Sequence, residues 1–435
     1  MGRWTPRVDG NHAAQVLRMA IEQKTIPVKD PQEAALAPFL ALQERLRAAY
    51  PILFSAAHDQ VVAGGSLLIL LPGAQKARPL LFLGHFDVPA VEEEELSLWT
   101  YPPFEGADGQ GFVWGRGALE GKGRLIALLE AAESLLKNGW RPSADIWFAF
   151  SQDAGICGSS AKQMCRILQA QGVEPAFILD GGGAVEGQFA YVGVAEKGYA
   201  DITLSIAGEG GCAYDAKQPT GFERLILAAA EVAHHPMKAR LCQPVEWMLK
   251  AMAGHLPPLA RIMAAYPRLF WPILRAGHIV NSAQTRSTAV PVQFKGSTVQ
   301  AMLARQTSIT YHCRILPGDT VEDMIAHLRD AAGFLGDIRL TVLGAERPSD
   351  LSPATGPAWE ALATAIQILY PQAAPVPCLY PGTTDARCYE ELGGNIYRFS
   401  PFRMEEGEGT QSINERISLE NLELGIQFYQ QMLQA

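Results

Sequence analysis

The chemistry-bearing residues of this 435-residue chain fall in a few compact strings, the first of which, GHFDV, sets His85 two residues before Asp87. Positions two apart on a strand share a face, so the Asp87 carboxylate can orient the His85 imidazole, the arrangement that prepares a histidine for metal ligation. The plainer alternative is a buried histidine hydrogen bonded to an aspartate. Further strings gather glycine with charged residues: WGRGALEGKG with Glu120, FAFSQDAGICGSSAK with Asp153, ILDGGG with Asp180, GVAEKGY, RILPGDT with Arg314, PGTTDARCY, YRFSP and INERI. The planar fork of Arg314 suits a carboxylate ligand and serves a salt bridge equally well. Seven cysteines, at 157, 165, 212, 242, 313, 378 and 388, are odd in number and never spaced as CxxC. Neither a disulfide framework nor a zinc knuckle follows, and most are expected to be reduced and buried. A catalytic thiol needs a base and an electropositive setting, and no histidine with a matching role is visible.

The elements that must hold these strings alternate. Residues 11–23 and 32–49 predict amphipathic helices, the second carrying Phe39, Leu40, Leu42 and Leu46 at helical spacing before Pro51 stops it. SLLILL, PLLFLG, DIWFAF and AFILD are apolar runs too short for helices and read as buried strands, with helical patterns at 123–138 and 159–171 between them. Strand and helix in alternation imply a mainly parallel sheet covered on both faces. From about residue 200 the order becomes β, α, β, β, α, β, a compact module that packs two helices on one sheet face, before helices at 355–370 and 418–434 flank the short strand NIYRF.

Composition is globular, with 48% hydrophobic and 19% charged residues, and the net charge of −9 without any basic run excludes a nucleic-acid footprint. No apolar stretch reaches the length of a bilayer span, and the N-terminal MGRWTPRVDGNH lacks a signal-peptide core, so a cytoplasmic address is expected. Residues 236–282 form an apolar insertion with Arg261, Arg268 and Arg275 seven apart; its prolines at 257, 258, 267 and 272 are expected to break it into short helices that pack on the module or on a subunit partner rather than on a membrane.

Taken in order, and with AYPILF near position 50, the strings closely resemble the dizinc aminoacylase and carboxypeptidase family, which includes acetylornithine deacetylase, succinyl-diaminopimelate desuccinylase and carnosinase. The branch most similar is that of vacuolar carboxypeptidase and N-acyl amino acid hydrolases. The resemblance spans nearly the whole chain. It implies an α/β fold: a zinc-peptidase-like domain with a mainly parallel sheet over residues 1–199 and 346–435, interrupted by an α+β lid, or dimerisation domain, over 200–345.

Such enzymes use two metal ions bridged by a carboxylate, five His and carboxylate ligands, and a Glu that deprotonates a metal-bound water. By resemblance, His85 is a ligand and Asp87 its orienting partner, both retained. The bridging Asp is here Glu120, whose longer arm displaces the carboxylate by about 1.5 Å, against a tolerance of about 0.2 Å. The general base and the ligand after it are replaced by Ala154 and Gly155, with Gly158 and the preceding FAF strand keeping the spacing. Asp153 points to the opposite strand face and does not replace them. The ligand Asp180 is kept while the acidic residue after it is Gly181, and a ligand histidine is Gln411, a poor donor beside imidazole. In the lid a histidine is replaced by Cys212 and an asparagine by Ala301, with Arg314 retained; Cys388 stands for another histidine.

One ion therefore keeps His85, Glu120 and Asp180, whereas the other has only Glu120 beside Gly155 and Gln411, so at most one zinc per chain is expected. The function expected is a family member that has lost standard dizinc amide hydrolysis and serves a binding or regulatory role, taking a small carboxylate-bearing ligand and pairing as a homodimer through the lid. Two alternatives stand beside it: a single-metal hydrolase of N-acyl amino acids or dipeptides, and an inactive subunit partnering an active relative.

Overall fold

The four short apolar runs fold as strands Ser66–Leu71, Leu80–His85, Ile146–Ser151 and Phe177–Asp180 of one nine-stranded sheet. The structure, a computed structural model, describes residues 6–29, 32–216, 219–276, 282–297, 299–404 and 409–435. Leu80–His85 lies parallel to both Ile146–Ser151 and Phe177–Asp180, and Asn395–Arg398 extends the parallel set on the far side of Phe177–Asp180. Antiparallel strands flank this centre, with Ser66–Leu71 and His58–Val62 on one side and Phe189–Glu196 on the other.

Alternation explains why both faces are covered. Leu81, Leu83, Trp147, Ala149 and Ile178 pack against Met164, Cys165 and Leu168 of the helix Ser160–Ala170 and against Ala386 and Tyr389. Phe82 points to the opposite face, where its ring meets those of Phe148, Phe177 and Tyr429. Buried on that face, the helix Lys122–Lys137 packs on Leu419–Leu433 and Gly10–Glu22. Polar residues consequently collect at the carboxyl ends of the parallel strands, where His85 pairs with Ser151 and Asp180 with Arg398, the end at which open α/β sheets place their sites.

Contacts divide the chain into one unit of Met1–Val194, Ser352–Pro377 and Thr384–Ala435 and a second of Ala195–Leu351 and Cys378–Thr383. The second has a four-stranded antiparallel sheet in the order Thr288–Lys295, Gln306–Ile315, Gly198–Ala207, Ile338–Glu346. Helices Gly221–His234 and Val321–Ala331 cover it through Leu225, Ala228, Met324 and Leu328. Each opens with a capping box, Thr220 with Glu223 and Thr320 with Asp323.

The prolines of the insertion act differently from one another. Pro258 and Pro267 begin the helices Pro258–Ala265 and Pro267–Ala276, where a missing N–H costs nothing, whereas Pro272 lies inside the second helix and does not end it. Leu259, Ile262, Tyr266, Leu269 and Ile273 stand exposed along these helices rather than packed on the module. Arg268 pairs with Glu246 at 2.8 Å and Arg261 donates to the Gly254 carbonyl, while residues 277–281 lie outside the described residues. None of the seven cysteines is in a disulfide, but only Cys165, Cys313 and Cys378 are buried; Cys157 and Cys212 are exposed. Among the described residues no helix is long and apolar enough to cross a membrane.

Candidate functional site

His85 closes its strand with Nδ1 3.0 Å from the Asp87 carbonyl and 3.3 Å from Asp87 Oδ1, and with Nε2 3.4 Å from Glu120 Oε1. Burial alone would lower its pKa, but hydrogen bonds to Asp87 and Glu120 outweigh that and hold it well above the ordinary histidine value. Glu120 can come this near because the next residue is Gly121, at φ +83°, where a Cβ would stand 2.8 Å from the His85 ring. The buried Asp87 carboxylate is fixed from the other side by backbone: Ala154 N–H donates to Oδ1 at 3.2 Å and Gly155 N–H to Oδ2 at 2.7 Å. The two positions that carry carboxylates in the resembled enzymes thus contribute only amide donors here. Asp153 turns away and caps the helix Ser160–Ala170, accepting from the Ser159 and Ser160 amides.

Asp180 ends the neighbouring strand. Its Oδ1 accepts from Gly181 N–H at 2.6 Å and lies 3.5 Å from both Nη1 and Nη2 of Arg124, and its Oδ2 accepts from Ala386 N–H at 3.1 Å. Next to it Asp385 accepts a short hydrogen bond from Ser151 Oγ. Burial, with the charges of Asp180 and Asp87, pushes the Asp385 carboxyl up to about 7, against the opposing pull of Ser151 and His85. Gln411 stands at φ +58° in a turn tied to the Glu120 loop through Arg116, which donates to the Ser412 carbonyl at 3.2 Å and to Glu415 at 3.1 Å.

In the second unit Cys212 and Ala301 come together. Cys212 bridges to Met302 across a short β contact, and Ala213 N–H donates to the Ala301 carbonyl at 2.8 Å. Arg314 Nη1 donates to Thr383 Oγ1 at 3.0 Å. Burial and the Arg314 charge bring the nearby Lys197 ammonium down to about 8.

His85, Glu120, Asp87, Ala154, Gly155 and Asp180 therefore share the strand-end site. The expected trio of ligands does not form, however. Two ligands each about 2.1 Å from one tetrahedral ion stand about 3.4 Å apart, which His85 and Glu120 satisfy at 3.4 Å. Asp180 is instead turned to Arg124 and two backbone amides, and among the described residues no group of three or more His, Cys, Asp or Glu is placed to hold a metal ion. A guanidinium at the third ligand also opposes a dication by charge, so the residues present do not fit the metal centre of the resembled enzymes. Sequence reasoning missed Arg124, Asp385 and Glu415. Each lies inside a quoted string or one residue beyond it, yet none carries a signal that separates a site residue from a helix, turn or loop residue.

A mixed sheet with polar residues at its parallel strand ends and an α+β unit inserted in the chain defines a metallopeptidase-type α/β scaffold. The chain belongs to Peptidase family M20/M25/M40, which is matched over residues 81–435. It is 27% identical over 443 aligned residues to mouse N-fatty-acyl-amino acid synthase/hydrolase PM20D1, covering 97% of this chain and 87% of that protein. Against carboxypeptidase S of Saccharomyces cerevisiae the identity is 28%, over 79% of this chain and 69% of the relative. The fold is also that of human carnosine dipeptidase 1, with TM-score 0.73 at 14% identity and coverage of 98% and 97%.

Proposed function

We propose that this M20-family chain has lost standard dizinc amide hydrolysis and uses the scaffold to bind a small carboxylate-bearing ligand of the N-acyl amino acid or dipeptide kind. The observation that carries this reading is at the end of Ile146–Ser151: the base and ligand positions are Ala154 and Gly155, whose amides are spent on Asp87. Loss of a general base alone costs about 100-fold to 10,000-fold in rate. The ligand class follows from the relatives' printed activities and from Arg314, whose guanidinium suits a carboxylate. The alternative of a single ion at His85, Glu120 and Asp180 loses its third ligand to Arg124.

The test is an amidase assay on the purified chain with N-acyl amino acids and dipeptides, beside thermal shifts with the same compounds. A rise in Tm with turnover at least about 1,000-fold below ordinary enzyme rates is expected. Turnover near about 10 per second would sink the reading.

Two copies pairing through the second unit is part of the same proposal. Its edge strand Thr288–Lys295 leaves Val290, Val292 and Phe294 exposed, and a long apolar edge is normally covered. Light scattering at micromolar concentration is expected to give a dimer that Val292→Lys dissociates; monomer in both samples would remove the interface. Seven cysteines without a disulfide favour a reducing, cytoplasmic setting.

A further inference from the structure

Arg124 sits where a cation is doubly disfavoured. It is buried, 4% exposed, and it occupies the first turn of the helix Lys122–Lys137, whose N-terminal dipole end repels positive charge and whose first turn holds no acidic residue. Something must offset both effects. The structure supplies the Asp180 carboxylate. Both terminal nitrogens of the guanidinium lie 3.5 Å from Asp180 Oδ1.

The seat of the guanidinium is made by a missing side chain. A Cβ placed on Gly181 would overlap Arg124 Nη1 and Cζ, so a side chain there would require the buried guanidinium to shift. The acidic side chain expected after Asp180 would compete with the arginine for this space, so Gly181 makes room for Arg124 where it stands.

We propose that Arg124 is the resident cation of this centre, its guanidinium neutralising Asp180 in place of a divalent ion so that this carboxylate is held without metal. The proposal rests on the reading that dizinc hydrolysis has been lost, and it adds what took the metal's electrostatic place. A guanidinium supplies charge and hydrogen-bond donors but no open coordination position, so Asp180 is held without any means of activating water.

The experiment uses the full chain and zinc itself as the probe, with elemental analysis after dialysis and Tm measured with EDTA and with excess zinc. Wild type is expected to retain well under one zinc per chain and to melt within about 1 °C in EDTA and zinc, since a ligand that does not bind the native state does not shift it. Arg124→Ser is expected to melt roughly 5–10 °C lower, the loss of one partner of a buried pair, and to regain several degrees with zinc in about 100-fold excess over Kd. Arg124→Lys keeps the charge and remains indifferent to zinc. Gly181→Ala lowers Tm in the wild type but has little further effect in Arg124→Ser, the non-additivity of a shared space.

Stoichiometric zinc in the wild type overturns the proposal, as does an Arg124→Ser chain as stable as wild type and blind to zinc. Should Arg124→Ser fail to fold, wild-type zinc content and the Gly181→Ala and Arg124→Lys responses still decide. Zinc bound without amidase turnover would remove the role of Arg124 and leave the loss of hydrolysis standing. Amidase turnover would remove the broader reading.

Discussion

Combining Ala154→Glu, Gly155→Glu and Gln411→His is expected to lower the Tm of the metal-free chain and to make it zinc-dependent. The destabilisation follows from where the new carboxylates land. The Ala154 and Gly155 amides touch the buried Asp87 carboxylate, and a Cβ at Gly155 stands 3.1 Å from Asp87 Oδ2. Asp385 nearby is already held up to about 7 by burial and by its acidic neighbours, so further negative charge at this sheet end is opposed by the carboxylates already there. Zinc at 100 times its Kd returns about 2.7 kcal/mol by mass action. With Arg124 in place the bound metal stays below two per chain, and addition of Arg124→Ser brings it toward two. Hydrolysis stays low even then, because Glu120 carries its carboxylate on the longer arm and Cys212 and Ala301 depart from the residues the family uses. Elemental analysis and calorimetry in EDTA and in zinc check this. A triple variant as stable as wild type and equally indifferent to zinc would show that positions 154, 155 and 411 do not face a common centre.

The strands and helices were legible because their patterns are strong. Leu81 and Leu83 alternate with Phe82 in a run bounded by Pro79 and Gly84, and both faces of that strand find helices. The β, α, β, β, α, β order after residue 200 was readable from strand and helix patterning; in the structure each of its two covering helices opens with Thr and an acid three residues on. The return of residues 378–383 to the second unit was not readable, because a strand shared between two compact units looks in sequence like any other strand. At the site, His85 and Asp87 stood out by residue type and spacing, and Glu120 and Asp180 through the family resemblance of the strings that carry them. Arg124 did not. An arginine in the first turn of a helix reads as a solvated surface residue, and only the packing of Gly181 against it shows that it is enclosed and what it faces. Likewise Asp385 reads as one more turn aspartate until burial places it beside Asp180.

Glu415→Ala is expected to destabilise the first unit by roughly 3–5 kcal/mol, the cost of breaking a buried pair from one side. Glu415 is 1% exposed; its Oε1 accepts from Leu119 N–H at 3.1 Å and Glu120 N–H at 3.0 Å, and its Oε2 from Arg116 Nη1 at 3.1 Å. Burial holds its carboxyl above the ordinary value in spite of these partners, the mark of a pair whose net contribution is small. Removing one member is a different matter. Arg116, 3% exposed, would keep its stack on Trp99 and its bond to the Ser412 carbonyl but lose its counter-charge, and two backbone amides would be left dry. At about 2–4 °C per kcal/mol the Tm falls by roughly 10 °C. Glu415→Gln keeps an acceptor for the amides and loses less, and pairing Glu415→Ala with Arg116→Met recovers part of the loss because the unpaired charge goes with it. Since the same carboxylate fixes the loop of Glu120 to the segment of Gln411, proteolysis of the Ala variant is expected to begin in residues 409–415 before the sheet opens. A Tm within about 2 °C of wild type, with that segment still protected, would mean the two loops are held by their backbone packing and not by Glu415.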